Sequence, residues 1–166
     1  DLANGRYELV PRSVWTNRPV SAKNQAMGEV RRITVHHTGE YGRMGVLPDM
    51  DVIQSVENAH RGRGYAAIGY HFIVGRDGRV YEGRPTRFQG AHTAKNNSNN
   101  LGISCIGDFM QKLPGPRQLK ALELCLDDMR RRYGVPKTRV YGHRELSGSL
   151  CPGEQLFRWL RDTYRA

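Results

Sequence analysis

The stretch from Tyr141 to Gly153 contains the residues best suited to chemistry, because His143 and Cys151 lie eight positions apart within it. An imidazole and a thiolate are both ligand types that zinc prefers. A third ligand could come from the dipeptide His36-His37, which ends an apolar, β-branched run. Three protein ligands leave one tetrahedral position open to water, which is typical of a catalytic zinc rather than a structural one. The spacing alone equally fits a buried cysteine, a surface histidine and a strand-end histidine pair that share no function.

Length, composition and charge are those of a basic globular domain. The chain has 166 residues, of which 38% are hydrophobic and 25% charged, so it can form one core and disorder is not expected. No apolar run approaches the roughly 20 residues that span a bilayer. The formal net charge of +10 predicts attraction to polyanions: nucleic acid, an acidic membrane or an anionic cell wall. The basic residues are scattered apart from Arg130-Arg131-Arg132, and no RNP-like aromatic motif accompanies them, so no specific nucleic-acid partner is predicted.

The remaining sequence predicts the elements that position these side chains. Ile33–His36 reads as a buried strand, and the Asp-Gly pair at 77–78 between the apolar runs 70–74 and 80–82 predicts a β-hairpin. The clearest helix follows Pro116, with large apolar residues at 119, 122, 126, 129 and 133 before Gly134. Further predicted elements are a loop over 39–48, a helix capped by Asp49 that buries Val52, Ile53 and Val56, strands over 101–106 and 140–141, and a final amphipathic helix carrying Leu156, Phe157, Leu160 and Tyr164.

Strands interleaved with helices predict an α/β fold of a single domain. Its core would be a mixed central β-sheet flanked by about three helices, with the hairpin as the antiparallel part. Residues 1–31 are polar and interrupted by prolines, which predicts an irregular arm packed on a domain formed by residues 32–166. Two further cysteines, Cys105 and Cys125, could form a disulfide. Both occupy apolar positions, where buried free thiols are common, and free thiols are favoured.

Four motifs in a fixed order resemble those of one enzyme family. They are ITVHHTG, IGYHFIVGRDGRVYEGR, GAHTAKNNSNNLGISCIGDF and YGHRELSGSLCPG, and PRSVW near the start resembles the Arg-Ser-x-Trp entry of some members. The chain resembles the type 2 N-acetylmuramoyl-L-alanine amidases, which include the peptidoglycan recognition proteins and the phage amidase endolysins. The resemblance covers roughly residues 11 to 160, and four ordered motifs are far more specific than any single one.

The resemblance implies a Zn²⁺ ion bound by His36, His143 and Cys151. It selects the first histidine of the pair. Adjacent side chains on a strand point to opposite faces, so His37 is expected to pack or hydrogen-bond on the other face. The resemblance also implies a catalytic role for Tyr70, in the Gly-Tyr-His-Phe motif, although a tyrosine there could instead be a core residue.

The substrate groove implied by the resemblance involves residues of several motifs. His92 and Asn97 match positions that line the groove, and Thr38 and Arg84 are expected to bind substrate with them. Asparagine also stabilises turns, so Asn97 could hold the loop in shape instead. Relatives carry Lys or Thr near the metal, two residues before the ligand cysteine. Here that position is Ser149, which offers a neutral hydroxyl in place of the positive charge of lysine. We therefore expect Ser149 to have only a modest catalytic role.

The reaction implied by the resemblance is zinc-dependent hydrolysis of the amide between N-acetylmuramic acid and L-alanine in peptidoglycan. The expected partners are peptidoglycan or muropeptides, and the protein is expected to be a monomer that is secreted, periplasmic or associated with the cell wall. The alternative is a recognition protein that binds muropeptides without cutting them. Non-catalytic relatives commonly lack the ligand cysteine, and the presence of both Cys151 and Tyr70 here favours the enzyme. A basic nucleic-acid-binding protein with a structural zinc is disfavoured, because no fourth ligand stands at a suitable spacing.

Overall fold

The computed structural model describes residues 1–40 and 44–166, in which six strands and four α-helices are found. The predicted loop over 39–48 therefore lies partly outside the described residues. A π-helical turn, Leu160–Tyr164, continues the last helix. The strands are β1 (Leu9–Val10), β2 (Arg32–His37), β3 (Phe72–Val74), β4 (Val80–Glu82), β5 (Asn100–Cys105) and β6 (Val140–Gly142), and the helices are α1 (Arg12–Trp15), α2 (Asp49–Gly62), α3 (Pro116–Tyr133) and α4 (Glu154–Trp159).

The six strands form one mixed sheet in the order β1-β4-β3-β5-β2-β6. The hairpin of β3 and β4 is antiparallel, and the other neighbouring strands run parallel. β2 lies between β5 and β6 and pairs with β5 over its whole length. Because parallel strands end at the same edge of a sheet, the loops that follow β2, β5 and β6 come together there. The predicted mixed sheet and its hairpin are confirmed.

Side-chain alternation gives the sheet two covered faces. On one face, Ile33 and Val35 of β2 pack in a cluster with residues of α3 and α4. On the other face, Ile73 of β3 belongs to a second cluster with residues of α1 and α2. Three longer helices flank the sheet as predicted, and α1 is a single turn. The predicted end of α3 is also confirmed, because Gly134 caps it in the left-handed conformation, with φ of 67°.

The two cysteines outside the ligand loop are core residues. Cys105 at the end of β5 and Cys125 in α3 are free thiols with no exposed surface. Burial raises the pKa of both thiols, so neither is a thiolate at neutral pH. The expectation of free thiols at apolar positions is confirmed.

Residues 1–31 pack along the sheet edge and contribute short elements of their own. β1 extends the sheet by pairing with β4. Trp15 of α1 is buried, and its indole N–H donates to the carbonyl of Glu82 at 2.7 Å. The guanidinium of Arg12 lies 3.1 Å from the buried carboxylate of Glu57 in α2. These contacts attach the segment to the sheet and to α2. The division of the chain into two units at residue 31 stays a prediction.

The start of α2 differs from the prediction. Asp49 is the first helical residue rather than the N-cap, and no side-chain cap is present at this end among the described residues. Its carboxylate instead accepts hydrogen bonds from the guanidinium of Arg76 at 2.7 Å and from the backbone N–H of Asp77 at 3.2 Å. The Asp49 prediction was wrong because the carboxylate ties the helix to the hairpin turn, a contact between segments distant in sequence.

His71 is a buried histidine whose two ring nitrogens are both used. Its Nδ1 accepts the N–H of Gly102 at 3.0 Å, and its Nε2 lies 2.9 Å from the carbonyl oxygen of Phe88. The Gly102 N–H can only donate and the carbonyl can only accept, so this ring is neutral with its proton on Nε2. Protonation would place two N–H donors against each other. Burial lowers the pKa of His71 to about 4.

This pKa shift predicts a loss of stability in mild acid. The folded pKa is below the unfolded value of about 6.5, so the contribution of His71 is complete above that pH and is lost as the pH falls towards the folded pKa. Between pH 7 and 5 the loss is about 2 kcal/mol from this residue alone. Urea unfolding at both pH values should show a smaller decrease for His71→Gln than for the parent. An equal decrease in the two proteins would mean that His71 titrates normally in the fold.

Candidate metal and catalytic site

Three side chains of the kind that bind zinc meet at the carboxyl edge of the sheet. One ligand atom from each of His36, His143 and Cys151 lies within 4.8 Å of those of the other two. The register explains the first two, because Val35 of β2 is paired with Gly142, the last residue of β6, and a histidine follows each of them in the sequence. Cys151 comes from the loop between β6 and α4. The sheet therefore brings together the three residues expected to bind the metal.

The spacing of these donors suits a tetrahedral zinc ion. Nδ1 of His36 lies 3.5 Å from Sγ of Cys151, and tetrahedral Zn–N and Zn–S bonds would place nitrogen and sulfur about 3.6 Å apart. Ring centroids of His36 and His143 are 4.7 Å apart. Two imidazoles and one thiol form a donor set with one coordination position left for water. The residues present thus fit a catalytic zinc site.

Burial sets the protonation of the three groups. It lowers the pKa of His36 well below its usual value, with smaller effects from His92 and His143. It also lowers the pKa of His143 and raises the pKa of the Cys151 thiol to about 12. Both imidazoles are therefore neutral, as metal binding requires, and a cation would have to displace the thiol proton.

The loop that carries Cys151 is held in shape by its own hydrogen bonds. The hydroxyl of Ser149 accepts the N–H of Cys151 at 3.1 Å, and the N–H of Arg144 donates to the Cys151 carbonyl at 2.8 Å. Gly153 ends the loop with φ of 93°, and a Cβ at this position would lie 2.5 Å from the backbone of Phe109. The position therefore requires glycine. This arrangement fixes the sulfur relative to the two histidines.

A cavity of about 640 Å³ opens above the three residues. Five residues predicted to be catalytic or to bind substrate line it: Thr38, Tyr70, His92, Asn97 and Ser149. Among the lining residues that the sequence did not indicate are His60, Arg63 and Tyr65, from the end of α2 and the loop that follows. The cavity is thus lined by the cluster of His36, His143 and Cys151, which we call the metal-type cluster, by two tyrosines and by the cationic side chain of Arg63.

Tyr70 lies beside the cluster in a fixed position. Its ring centroid is 5.1 Å from that of His36 and 5.5 Å from that of His60. Its backbone carbonyl accepts the N–H of Arg84 at 2.8 Å. The hairpin strand begins at Phe72 rather than at Tyr70 as predicted, since the strand pairing starts opposite Ile103 and Glu82. Tyr70 therefore stands just before the strand, at the cavity.

The groove residues Thr38 and Asn97 hold the backbone of their loops. Oδ1 of Asn97 accepts the N–H groups of His92 at 2.9 Å and Thr93 at 2.8 Å. Oγ1 of Thr38 accepts the N–H of Gly107 at 3.0 Å. The loop-stabilising role that was open for Asn97 is therefore present in the structure. Direct contact of these side chains with substrate stays a prediction.

Arg84 and His37 have their polar atoms engaged by the protein itself. Arg84 is 4% exposed, and its guanidinium donates to the carbonyls of Ala67, Ile68 and Gln89 at 2.8–2.9 Å. Within the described part of the chain it is not among the residues that line the cavity. His37 borders the cavity, but its Nδ1 accepts the N–H of Phe109 at 3.2 Å, and it lies outside the ligand cluster found among the described residues.

Comparison with known proteins identifies the family. The profile described as N-acetylmuramoyl-L-alanine amidase matches residues 26–154. The chain is 33% identical over 162 residues to peptidoglycan recognition protein 1 of Mus musculus, covering 95% of this chain and 88% of that protein. It is 42% identical over 101 residues to the N-acetylmuramoyl-L-alanine amidase of Sus scrofa, covering 60% of this chain and 17% of that protein.

A solved structure gives the same result. It is the ectodomain complex of peptidoglycan recognition proteins LCa and LCx with bound tracheal cytotoxin, matched at 34% identity and a TM-score of 0.81 over 94% of this chain and 96% of that one. The mixed sheet is thus the fold of a known class. The chain belongs to the N-acetylmuramoyl-L-alanine amidase family, which includes the peptidoglycan recognition proteins.

Proposed function

We propose that this protein is a zinc-dependent N-acetylmuramoyl-L-alanine amidase, which hydrolyses the amide between N-acetylmuramic acid and L-alanine in peptidoglycan. The observation that carries the proposal is the His36, His143 and Cys151 cluster, which lies in one cavity with Tyr70. Binding alone does not require three metal-type ligands beside a phenol group. The net charge of +10 favours association with an anionic wall, so the protein would act outside the cytoplasm.

Each group of cavity residues would have a separate role in amide hydrolysis. His36, His143 and Cys151 would hold Zn²⁺. When bound, the ion lowers the pKa of a water molecule to about 7 and offers a positive charge that polarises the substrate carbonyl. Tyr70 would donate its phenol O–H to the oxygen that gains negative charge as the tetrahedral intermediate forms. Arg63, which is exposed and lines the same cavity, would attract the carboxylates of the stem peptide.

The second candidate is a recognition protein that binds muropeptides without cutting them. It is favoured by relatives that are named for recognition, one of them solved with tracheal cytotoxin bound. Binding would use the same cavity and the same cation, so the cavity does not separate the two functions. The intact ligand set and the phenol group beside it favour the enzyme.

Digestion of purified peptidoglycan tests the proposal directly. The protein is incubated with insoluble peptidoglycan, with and without a chelator, and the soluble products are identified by mass spectrometry. We expect free stem peptides that begin with L-alanine, their loss after chelation and their return when Zn²⁺ is added back. Co-sedimentation with peptidoglycan without any released peptide would instead support the recognition protein.

Ser149 is expected to contribute only modestly to this activity. Its hydroxyl accepts the N–H of the ligand Cys151, so Ser149→Ala removes one neutral hydrogen bond. The expected cost is about 1 kcal/mol, which is roughly fivefold if it appears entirely in the rate. Steady-state kinetics on a soluble muropeptide measure the change, with Ser147→Ala in the same loop as the control. A loss of several orders of magnitude at unchanged zinc content and melting temperature would assign Ser149 a direct catalytic role.

A further inference from the structure

The ring of His92 connects the candidate ligand His36 to the sheet backbone. Nδ1 of His92 lies 2.9 Å from Nε2 of His36, and Nε2 of His92 lies 3.0 Å from the carbonyl oxygen of Asn100. The hydroxyl of Thr93 is 2.9 Å from the same Nδ1 and 3.5 Å from Nε2 of His36. All these atoms are buried, so the arrangement of protons among them is determined by the protein rather than by water.

The carbonyl of Asn100 fixes the tautomer of His92. A carbonyl oxygen can only accept, so Nε2 of His92 carries a proton and its Nδ1 keeps a lone pair. Nε2 of His36 and the hydroxyl of Thr93 both lie 2.9 Å from this nitrogen, and when Nε2 of His36 donates to it, the remaining nitrogen of His36, Nδ1, is left unprotonated. This is the atom that lies 3.5 Å from Sγ of Cys151. The chain of hydrogen bonds therefore presents to the cluster the lone pair that a metal needs.

The position of the His92 ring is built into the fold. A Cβ on Gly102 of β5 would lie 2.6 Å from Cδ2 of His92, and a Cβ on Gly90 would lie at the same distance. Both positions need glycine for the ring to occupy its place. The Asn100 end is anchored too, because the side chain of Asn100 accepts the hydroxyl of Thr34 at 2.8 Å. Thr34 and His36 lie on the same face of β2, and Asn100 belongs to the neighbouring strand β5. The hydrogen-bonded series from His36 through His92 to Asn100 is therefore held at both ends by these two paired strands.

We propose that His92 is a positioning residue of the metal site, which holds His36 in the tautomer and orientation that a metal ion requires. Hydrogen-bond partners of this kind orient metal-binding imidazoles and affect metal affinity by roughly 10- to 100-fold. The role differs from the contact with substrate expected for His92, which is only 8% exposed. The inference rests on the metal site of the proposed function and is independent of the amidase reaction.

Asn and Leu at position 92 form a matched pair that tests the proposal. The two side chains have nearly the same shape, but only Asn has an acceptor oxygen close to the place of the imidazole Nδ1. Zn²⁺ affinity is measured by competition with a chromogenic chelator. We expect His92→Leu to bind Zn²⁺ about 10- to 100-fold more weakly than the parent and His92→Asn to remain within a few-fold of it. The control is His71→Gln, at an equally buried histidine without a hydrogen bond to His36, and it should leave Zn²⁺ affinity unchanged.

Two outcomes would overturn the proposal. If both substitutions weaken Zn²⁺ binding equally, only the shape of the ring matters, and if neither weakens it, His92 has no influence on the metal site. If His92→Leu does not fold, ¹⁵N NMR of the histidine rings in the parent protein decides instead. His36 should carry its proton on Nε2 with and without Zn²⁺, and a proton on its Nδ1 in the zinc-free protein would contradict the proposal. A protein that shows the Asn–Leu difference but releases no stem peptide would retain this inference and lose the amidase function.

Discussion

Replacement of Cys151 by alanine is expected to abolish metal binding and amidase activity together. The variant keeps two imidazoles but loses the thiolate, the only anionic ligand of the cluster. A metal ion at such a site is worth several kcal/mol of transition-state stabilisation, and about 1.4 kcal/mol corresponds to a tenfold change in rate. We therefore expect a loss of at least about 10³-fold in peptidoglycan hydrolysis. Metal analysis of the purified variant should find far less than one zinc per chain.

The same chemical change at Cys125 is the matched control. Cys125 is fully buried in the core cluster against the sheet and lies outside the metal-type cluster of the described residues. Cys125→Ala should lower the melting temperature yet keep the zinc content and the rate per folded molecule. Zn²⁺ should also raise the melting temperature of the parent and of Cys125→Ala, but not that of Cys151→Ala, because a ligand that binds only the folded state stabilises it. Full activity of Cys151→Ala after exhaustive chelation would exclude the zinc mechanism.

The residues of the candidate metal cluster could be predicted from the sequence because their residue types are rare and lie in ordered motifs. A histidine at a strand end and a His-x7-Cys loop limit the candidates to a few side chains. The pairing of β2 with β6, which places Val35 opposite Gly142, could not be predicted in the same way. Local patterns indicate which residues form strands, but the order of strands in a sheet depends on packing between distant segments.

His60 and Arg63 line the cavity but could not be assigned to it from local sequence patterns. Apolar spacing correctly predicted helix α2 and its buried face, Val52, Ile53 and Val56. It does not indicate where the last turn points, so His60 and Arg63 at its end were not recognised as cavity residues. The link from His36 to His92 spans 56 positions of sequence and depends on one hydrogen-bond distance. No periodicity or motif spacing contains that information.

Arg84 illustrates the opposite error, in which a motif suggests a contact that the fold uses for something else. The resemblance led us to expect that Arg84 binds substrate together with His92 and Asn97. In the structure its donors are taken by three backbone carbonyls of two loops, 67–68 and 89. Burial of a charge is tolerated when such acceptors are available, and burial lowers the pKa of Arg84 to about 10, still well above neutral. Arg84 thus shapes the loops next to the cavity.

Replacement of Tyr70 by phenylalanine should retain the fold and the metal site and remove most of the activity. The ring packs between His36 and His60, and phenylalanine keeps that packing because only the hydroxyl is lost. Removal of one donor to a developing oxyanion typically costs about 3 kcal/mol, or a factor of roughly 10² to 10³ in kcat. Steady-state hydrolysis of a soluble muropeptide should show this loss in kcat with little change in KM, since the hydrogen bond is made mainly in the transition state.

Tyr65 is the matched control for this prediction, because it lines the same cavity and its ring is 5.3 Å from that of His60. Tyr65→Phe removes the same group from a tyrosine whose ring lies against His60, whereas that of Tyr70 also lies against His36, and we expect a change in kcat of less than about tenfold. Zinc content should be unchanged in both variants. A near-native rate for Tyr70→Phe would leave the phenol with a packing role only. Equal losses in the two variants would instead assign both hydroxyls to substrate binding, and the stabilisation of the oxyanion would then have to come from the metal alone.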